Sequence, residues 1–312
     1  MAFRCQAFEL RFDASTAVTS SVLDVRLALH KRSCSVARCG FISRVSEQNM
    51  QFSIDSDVTL VVTSCGRFDH LRKTLESFDR FNTAPIRSVI IVEDSGDDAV
   101  HMTLPASWKA NTQVLLNRPR LGQLAAIDRA YALVETAYVF HCEDDWEFYR
   151  PGFVEQSLSI LQAFPEILQV WLRSFAHDVR VNYPFHMLGD RLVLDGIACH
   201  YLLSSEPAWR GFSFNPGLRR MRDFQKVSPV ARFSSSAEGE SRLSQEFEAL
   251  GYRVVILESD AVIHTGDDAH VWAEADQQKQ RKKRKKKIGR VVAAVLLFCL
   301  GGAVGYLGRG SI

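Results

Sequence analysis

The sequence has no Cys-x-x-Cys pair. Its seven cysteines, Cys5, Cys34, Cys39, Cys65, Cys142, Cys199 and Cys299, are odd in number and scattered. This spacing argues against a disulfide scaffold and a structural zinc site, and leaves free thiols in a reducing compartment as the simpler reading. No Asn-x-Ser/Thr acceptor occurs, in keeping with a cytosolic domain. Residues 1–55 lack both a compact apolar h-region and a sustained hydrophobic period, so they are read as an N-terminal extension without a secretory signal and without an assigned role. A basic face is missing too. The formal net charge is +2, yet Arg281–Lys287 alone carries seven positive charges and the rest of the chain is net acidic. Nucleic-acid binders spread basic residues over a folded face, so no nucleic-acid partner is expected.

What is present is an ordinary globular balance, 46% hydrophobic and 24% charged over 312 residues, with room for one large core. From Asp57 onward, short β-branched runs alternate with helical periods, which predicts an α/β fold with a largely parallel sheet. Strands are expected at 58–63, 88–92, 113–116, 138–142 and 167–172. Helices are expected after a cap at Asp69, from Leu124, over 152–163 and over 237–250. The last of these closes at Gly251, and runs at 252–257 and 261–263 are expected to complete the sheet. The stretch 175–235 reads as irregular. The domain is bounded at 56–270, followed by a basic linker at 271–287 and an apolar segment at 288–308. Val291–Gly308 is uncharged and at the short limit of the ~20 residues that cross ~30 Å of hydrocarbon. Basic flanks stay on the cytoplasmic side. The expectation is a single-pass membrane anchor, a C-terminal transmembrane helix, with the domain facing the cytoplasm.

In an open parallel sheet, ligands bind beyond the carboxyl ends of the strands. Three predicted strand ends carry functional groups there: Thr63-Ser-Cys-Gly-Arg67, Glu93-Asp94 and Glu143-Asp144-Asp145. Three consecutive acids after a buried strand are costly unless a cation neutralises them. Hard oxygen ligands suit manganese or magnesium, which bridges a diphosphate in such settings. The plainer alternative is an acidic turn that starts a helix.

The segment Val58–Phe148 resembles the nucleotide-binding half of GT-A glycosyltransferases, in particular family 2 enzymes. Its Glu143-Asp144-Asp145, followed by Pro151, is similar to the acidic motif of the N-acetylglucosaminyltransferase I group. The resemblance implies a GT-A fold, Rossmann-like with flanking helices, and metal-dependent, inverting transfer of a hexosyl or N-acetylhexosaminyl group. The donor would be a nucleotide sugar, UDP-linked by expectation, and the acceptor a glycan or a lipid-linked hydroxyl. It further implies that Asp145 ligates the metal, that Glu143 and Asp144 lie near the sugar or ribose, that Asp94 hydrogen-bonds the base and that Arg67 contacts the nucleotide. Family 2 enzymes also end in an acidic pair, a helix closing on Gly-Tyr, a strand and a histidine. Here that series is Glu238-Gly-Glu240, Gly251-Tyr252 and His264, which implies Glu240 as catalytic base and His264 as a metal or phosphate contact. Glu238 lies three residues after Ser235, a capping-box spacing. Trp171, Arg173 and Trp209 fall in the region that forms acceptor sites in such enzymes. The competing expectations are a nucleotidyltransferase, for which Cys65-Gly66-Arg67 is too sparse a phosphate loop, and a non-catalytic scaffold, suggested by Gly239 where the family carries an acid.

Overall fold

The computed structural model describes residues 49–266. The basic linker and the membrane segment expected at 271–287 and 288–308 lie outside the described residues, as does most of the 1–55 extension. Among the described residues no helix is long and apolar enough to cross a membrane. Met50 is buried and Phe52 bridges to Ile86, so the domain takes in residues ahead of position 56.

The strands are β1 (Val58–Ser64), β2 (Ser88–Glu93), β3 (Thr112–Leu116), β4 (Tyr138–Glu143), β5 (Trp146–Phe148), β6 (Ile167–Trp171), β7 (His186–Leu194), β8 (Ile197–Ser204), β9 (Gly217–Arg220), β10 (Arg253–Leu257) and β11 (Val262–His264). The helices are α1 (Phe68–Phe81), α2 (Gln123–Tyr131), α3 (Phe153–Ala163), α4 (Arg180–Asn182), α5 (Met221–Phe224) and α6 (Ser236–Ala249). One sheet has the order β3-β2-β1-β4-β9. Its first four strands are parallel and β9 runs antiparallel to β4.

Every residue of β1 is buried, which requires cover on both faces. Successive side chains alternate between two cores, as a period of two demands. Leu60 and Val62 join Leu71, Leu75 and Phe78 of α1, with Val154 and Ile160 of α3 in the same core. Val61 joins Leu124 and Ile127 of α2 and Leu243 and Phe247 of α6. The sheet is thus sandwiched between helical layers, which leaves its strand ends as the open edge.

Three sequence expectations change. Asp69 does not cap α1. It sits in the first turn, where a carboxylate still favours the helix dipole, and pairs with Arg72. The run at 252–257 does not complete the main sheet, because β10 forms a second sheet of order β6-β10-β8-β7, and β11 pairs with β5 alone. Within 175–235, β7 and β8 form a hairpin. Its turn is Asp195-Gly196, at φ +48° and +83°, the left-handed pair that a two-residue hairpin loop needs.

Candidate active site

The carboxyl ends of β1, β2 and β4 and the N-terminal turns of α2 and α6 enclose a cleft of about 340 Å³. Seven of the ten residues singled out from sequence line it: Arg67, Asp94, Glu143, Asp144, Asp145, Glu240 and His264. They come from segments up to two hundred residues apart in the chain, and the parallel register of β1, β2 and β4 brings the first five to one edge.

The acidic triplet follows β4 directly. Asp144 is buried and accepts from the Cys65 N–H and the Arg67 guanidinium. Burial pushes its carboxyl up to about 6 in spite of the Arg67 charge. Asp145 Oδ2 lies 2.8 Å from Arg67 Nη1 and 3.3 Å from His264 Nε2. Burial disfavours the charged form of Asp145, but the His264 hydrogen bond and the Arg67 charge outweigh it and hold the carboxyl below its ordinary range. Thr265 donates its N–H and hydroxyl to the Asp145 carbonyl. Gly266 then passes so close that a Cβ there would fall 2.2 Å from Asp145 Oδ2, so only glycine fits that approach.

Glu143 accepts from Gln123 Nε2 at 2.6 Å, and Gln123 in turn accepts from the Ser236 hydroxyl. Burial first, then the charges of Asp145 and Glu240, raise the Glu143 carboxyl to about 8. Between its ordinary value and about 8 the folded chain holds a proton that the unfolded chain releases, so this group makes stability fall as pH rises through that window. Glu143→Gln is therefore expected to give a shallower decline of melting temperature between about pH 5 and pH 8 than the parent chain.

Asp94 is buried, and its two oxygens receive four donors: Asn117 Nδ2, Leu121 N, Gly122 N and Arg120 Nε. A carboxylate offers about four acceptor sites, so Asp94 is saturated by the 117–122 loop that it shapes. Glu240 Oε1 accepts from Ser213 Oγ at 2.8 Å and from Phe214 N at 2.7 Å. Desolvation raises the Glu240 carboxyl above the usual range. One turn earlier, the Ser235 hydroxyl caps α6 by accepting from Glu238 N, and Glu238 reaches back to Ser234, so that pair is structural.

The acceptor candidates divide. Trp171 is 4% exposed and packs among Val179, Leu202 and Ile256 with its indole N–H on Gly211 O. It is a core residue: although β6 is an edge strand of the second sheet, the side chain is covered by residues of β8, β10 and the segment that includes Val179. Trp171→Ala is expected to cost about 3–5 kcal/mol in chemical denaturation. Trp209 sits on a turn closed by its own N–H to Glu206 O and lines neither the cleft nor the hollow beside it. Arg173 makes a bidentate pair with Asp178 at 2.6 Å and lies under the rings of Trp146 and Tyr183. It lines a second hollow of about 640 Å³ that shares Tyr183 and His264 with the cleft. Sequence reading missed Ser213 and Ser236, since nothing local marks a serine that holds a carboxylate or an amide across the fold.

The residues fit a particular kind of cation site. Among the described residues, no group of three or more His, Cys, Asp or Glu side chains could hold a metal ion by itself. Asp145 Oδ1, however, is a buried acceptor without a hydrogen-bond partner, and His264 adjoins the same carboxylate. One carboxylate matches an ion that takes its remaining ligands from phosphate and water, as magnesium does, whereas an imidazole ligand suits a transition metal rather than magnesium.

No protein-family model and no curated protein matches the chain. Solved structures do match. The mannosyltransferase PcManGT from Pyrobaculum calidifontis, in complex with GDP-Man and Mn2+, is similar with a TM-score of 0.51 at 13% identity, over 71% of this chain and 61% of that one. S. aureus TarS 1–349 matches with a TM-score of 0.48 at 13% identity, over 67% and 60% of the two chains. GalNAc-T7 with UDP, GalNAc and Mn2+ matches with a TM-score of 0.46 at 11% identity, over 66% and 43%. At 13% identity the likeness to the mannosyltransferase is one of fold, GT-A, and the chain spans about three-fifths of that protein's length.

Proposed function

We propose that the chain is a glycosyltransferase that binds a nucleotide-sugar donor in the cleft at the ends of β1, β2 and β4 and transfers the sugar to an acceptor hydroxyl. The observation that carries this reading is the convergence of Arg67, the Glu143–Asp145 triplet, Glu240 and His264 on one cleft at the strand ends of a GT-A fold. Asp145 and His264 would hold a divalent cation, manganese or magnesium, which when bound supplies Lewis-acid stabilisation of the departing diphosphate. Arg67 and Arg120 add positive charge on the same wall. Glu143, held by Gln123 at the end of β4, is placed to hydrogen-bond a sugar or ribose hydroxyl.

Glu240 is the proposed general base. Ser213 and Phe214 fix one of its oxygens and leave Oε2 to take the proton of the acceptor hydroxyl. A carboxyl raised by desolvation is a stronger base than one in water. One base positioned at the acceptor oxygen suits a single displacement, and so inversion at the sugar carbon. The second hollow, which meets the cleft at Tyr183 and His264, is the proposed acceptor entrance, for a glycan or a lipid-linked hydroxyl. The donor base is proposed to be uracil. Calorimetric titration of the full chain with UDP and with GDP, each with and without manganese, tests the donor site. Binding of one nucleotide that depends on the metal is expected, and binding of neither would overturn the reading.

A further inference from the structure

Resting on the donor-site reading above, we infer that Arg67 is the resident counter-cation of the acidic triplet, and that it keeps a divalent cation from binding tightly until a nucleoside diphosphate draws it away. The Arg67 guanidinium, on the loop after β1, serves two carboxylates at once. Nε and Nη2 donate to Asp144, and Nη1 lies 2.8 Å from Asp145 Oδ2. Those two side chains are only 2% and 7% exposed. The planar fork of arginine is suited to such bridging, and its charge is permanent.

Asp145 Oδ2 is enclosed on three sides, by Arg67, by His264 and by the backbone of Gly266. A cation at Asp145 would therefore sit within a few ångströms of a fixed positive charge in a site with little water to screen it. Like charges at that range repel, and a site with little water screens them poorly. The same acids that attract the ion are already neutralised in part. A diphosphate changes the balance, because it offers anionic oxygens both to a guanidinium and to a hard cation. Arg67 then turns from an occupant of the acidic triplet into a ligand of the nucleotide. Metal and nucleotide binding become coupled through this one side chain, with the same coupling factor in both directions.

The test is a manganese titration of the full chain, read by the electron paramagnetic resonance signal of free Mn2+, with and without UDP or GDP. It compares the parent chain, Arg67→Met, which removes the charge and keeps the stem, and Asp145→Asn. Without nucleotide, Arg67→Met is expected to bind manganese roughly 10-fold more tightly than the parent chain, with the enhancement by nucleotide reduced by a similar factor. Arg67→Gln, neutral and more polar, gives the same measurement should the Met variant fail to fold. If the neutral variants bind manganese no better than the parent chain, while nucleotide still enhances Asp145-dependent binding, the role of Arg67 is overturned and the donor site stands. If manganese binding depends neither on nucleotide nor on Asp145 in any variant, the donor site falls, and this inference with it.

Discussion

Asp145→Ala is expected to reduce metal-dependent nucleotide affinity by roughly 100-fold, about 2.8 kcal/mol at 1.4 kcal/mol per tenfold, while the chain stays folded. Asp145 carries the one buried carboxylate oxygen of the triplet that lacks a hydrogen-bond partner. Its truncation removes the acceptor that a cation would use and leaves His264 alone at the position. The fold should survive for specific reasons. The contacts that tie this segment to β11 run through the Asp145 carbonyl, which accepts from Thr265, and alanine keeps that carbonyl. Arg67 retains Asp144 as its partner. Calorimetry with UDP or GDP and manganese reads the affinity, and near-ultraviolet circular dichroism reads the fold. Unchanged metal dependence would remove Asp145 from the cation site and turn the triplet into an acidic turn.

Glu240→Gln is expected to lower the transfer rate by about 10³-fold, within the range that a positioned general base contributes, with donor affinity nearly unchanged. Glutamine keeps an oxygen for Ser213 Oγ and Phe214 N, so the local geometry persists while the proton acceptor is lost. The pH dependence separates this role from a structural one. The Glu240 carboxyl lies above its ordinary range. On the proposed function, the transfer rate of the parent chain should therefore fall as pH drops through that raised value, where the base becomes protonated. In the glutamine variant this acid limb should vanish. Donor consumption in the presence of a hydroxyl acceptor, followed across pH, is the measurement. A Glu240→Gln variant that keeps both the rate and the acid limb would place the base elsewhere.

Much of the fold was legible because its strands are buried on both faces. Val58–Ser64 and Ser88–Glu93 carry the unbroken apolar cores Leu60–Val62 and Val89–Val92, and such runs suit a covered parallel sheet. The apolar spacing of Leu71, Leu75 and Phe78 likewise fixed the inward face of α1. The hairpin of β7 and β8 was legible in principle. Asp195-Gly196 stands between Val193-Leu194 and Ile197, and a two-residue Asp-Gly loop between such runs is among the strongest local hairpin signals. It went unread because β7 lies at a sheet edge with Val193, Met187 and Leu188 exposed, which blurs the alternation that marks a strand.

Chemistry divided along the same line. Which groups stand at strand ends follows from the local pattern, because a buried strand that stops at an acid has one place to put it. That is why Arg67, Asp94 and Glu143–Asp145 could be named before any contact was known. What each group has left to offer depends on the neighbours that folding brings to it. Asp94 proves saturated by its own loop, Glu143 is raised to about 8 by burial among other acids, and Trp171 is enclosed by a second sheet that no local pattern announced. Acceptor capacity, desolvation and burial depend on neighbours brought in from distant segments, such as Ser213 on Glu240 and Ser236 on Gln123. Local sequence sets residue type and direction, and packing sets charge state and access.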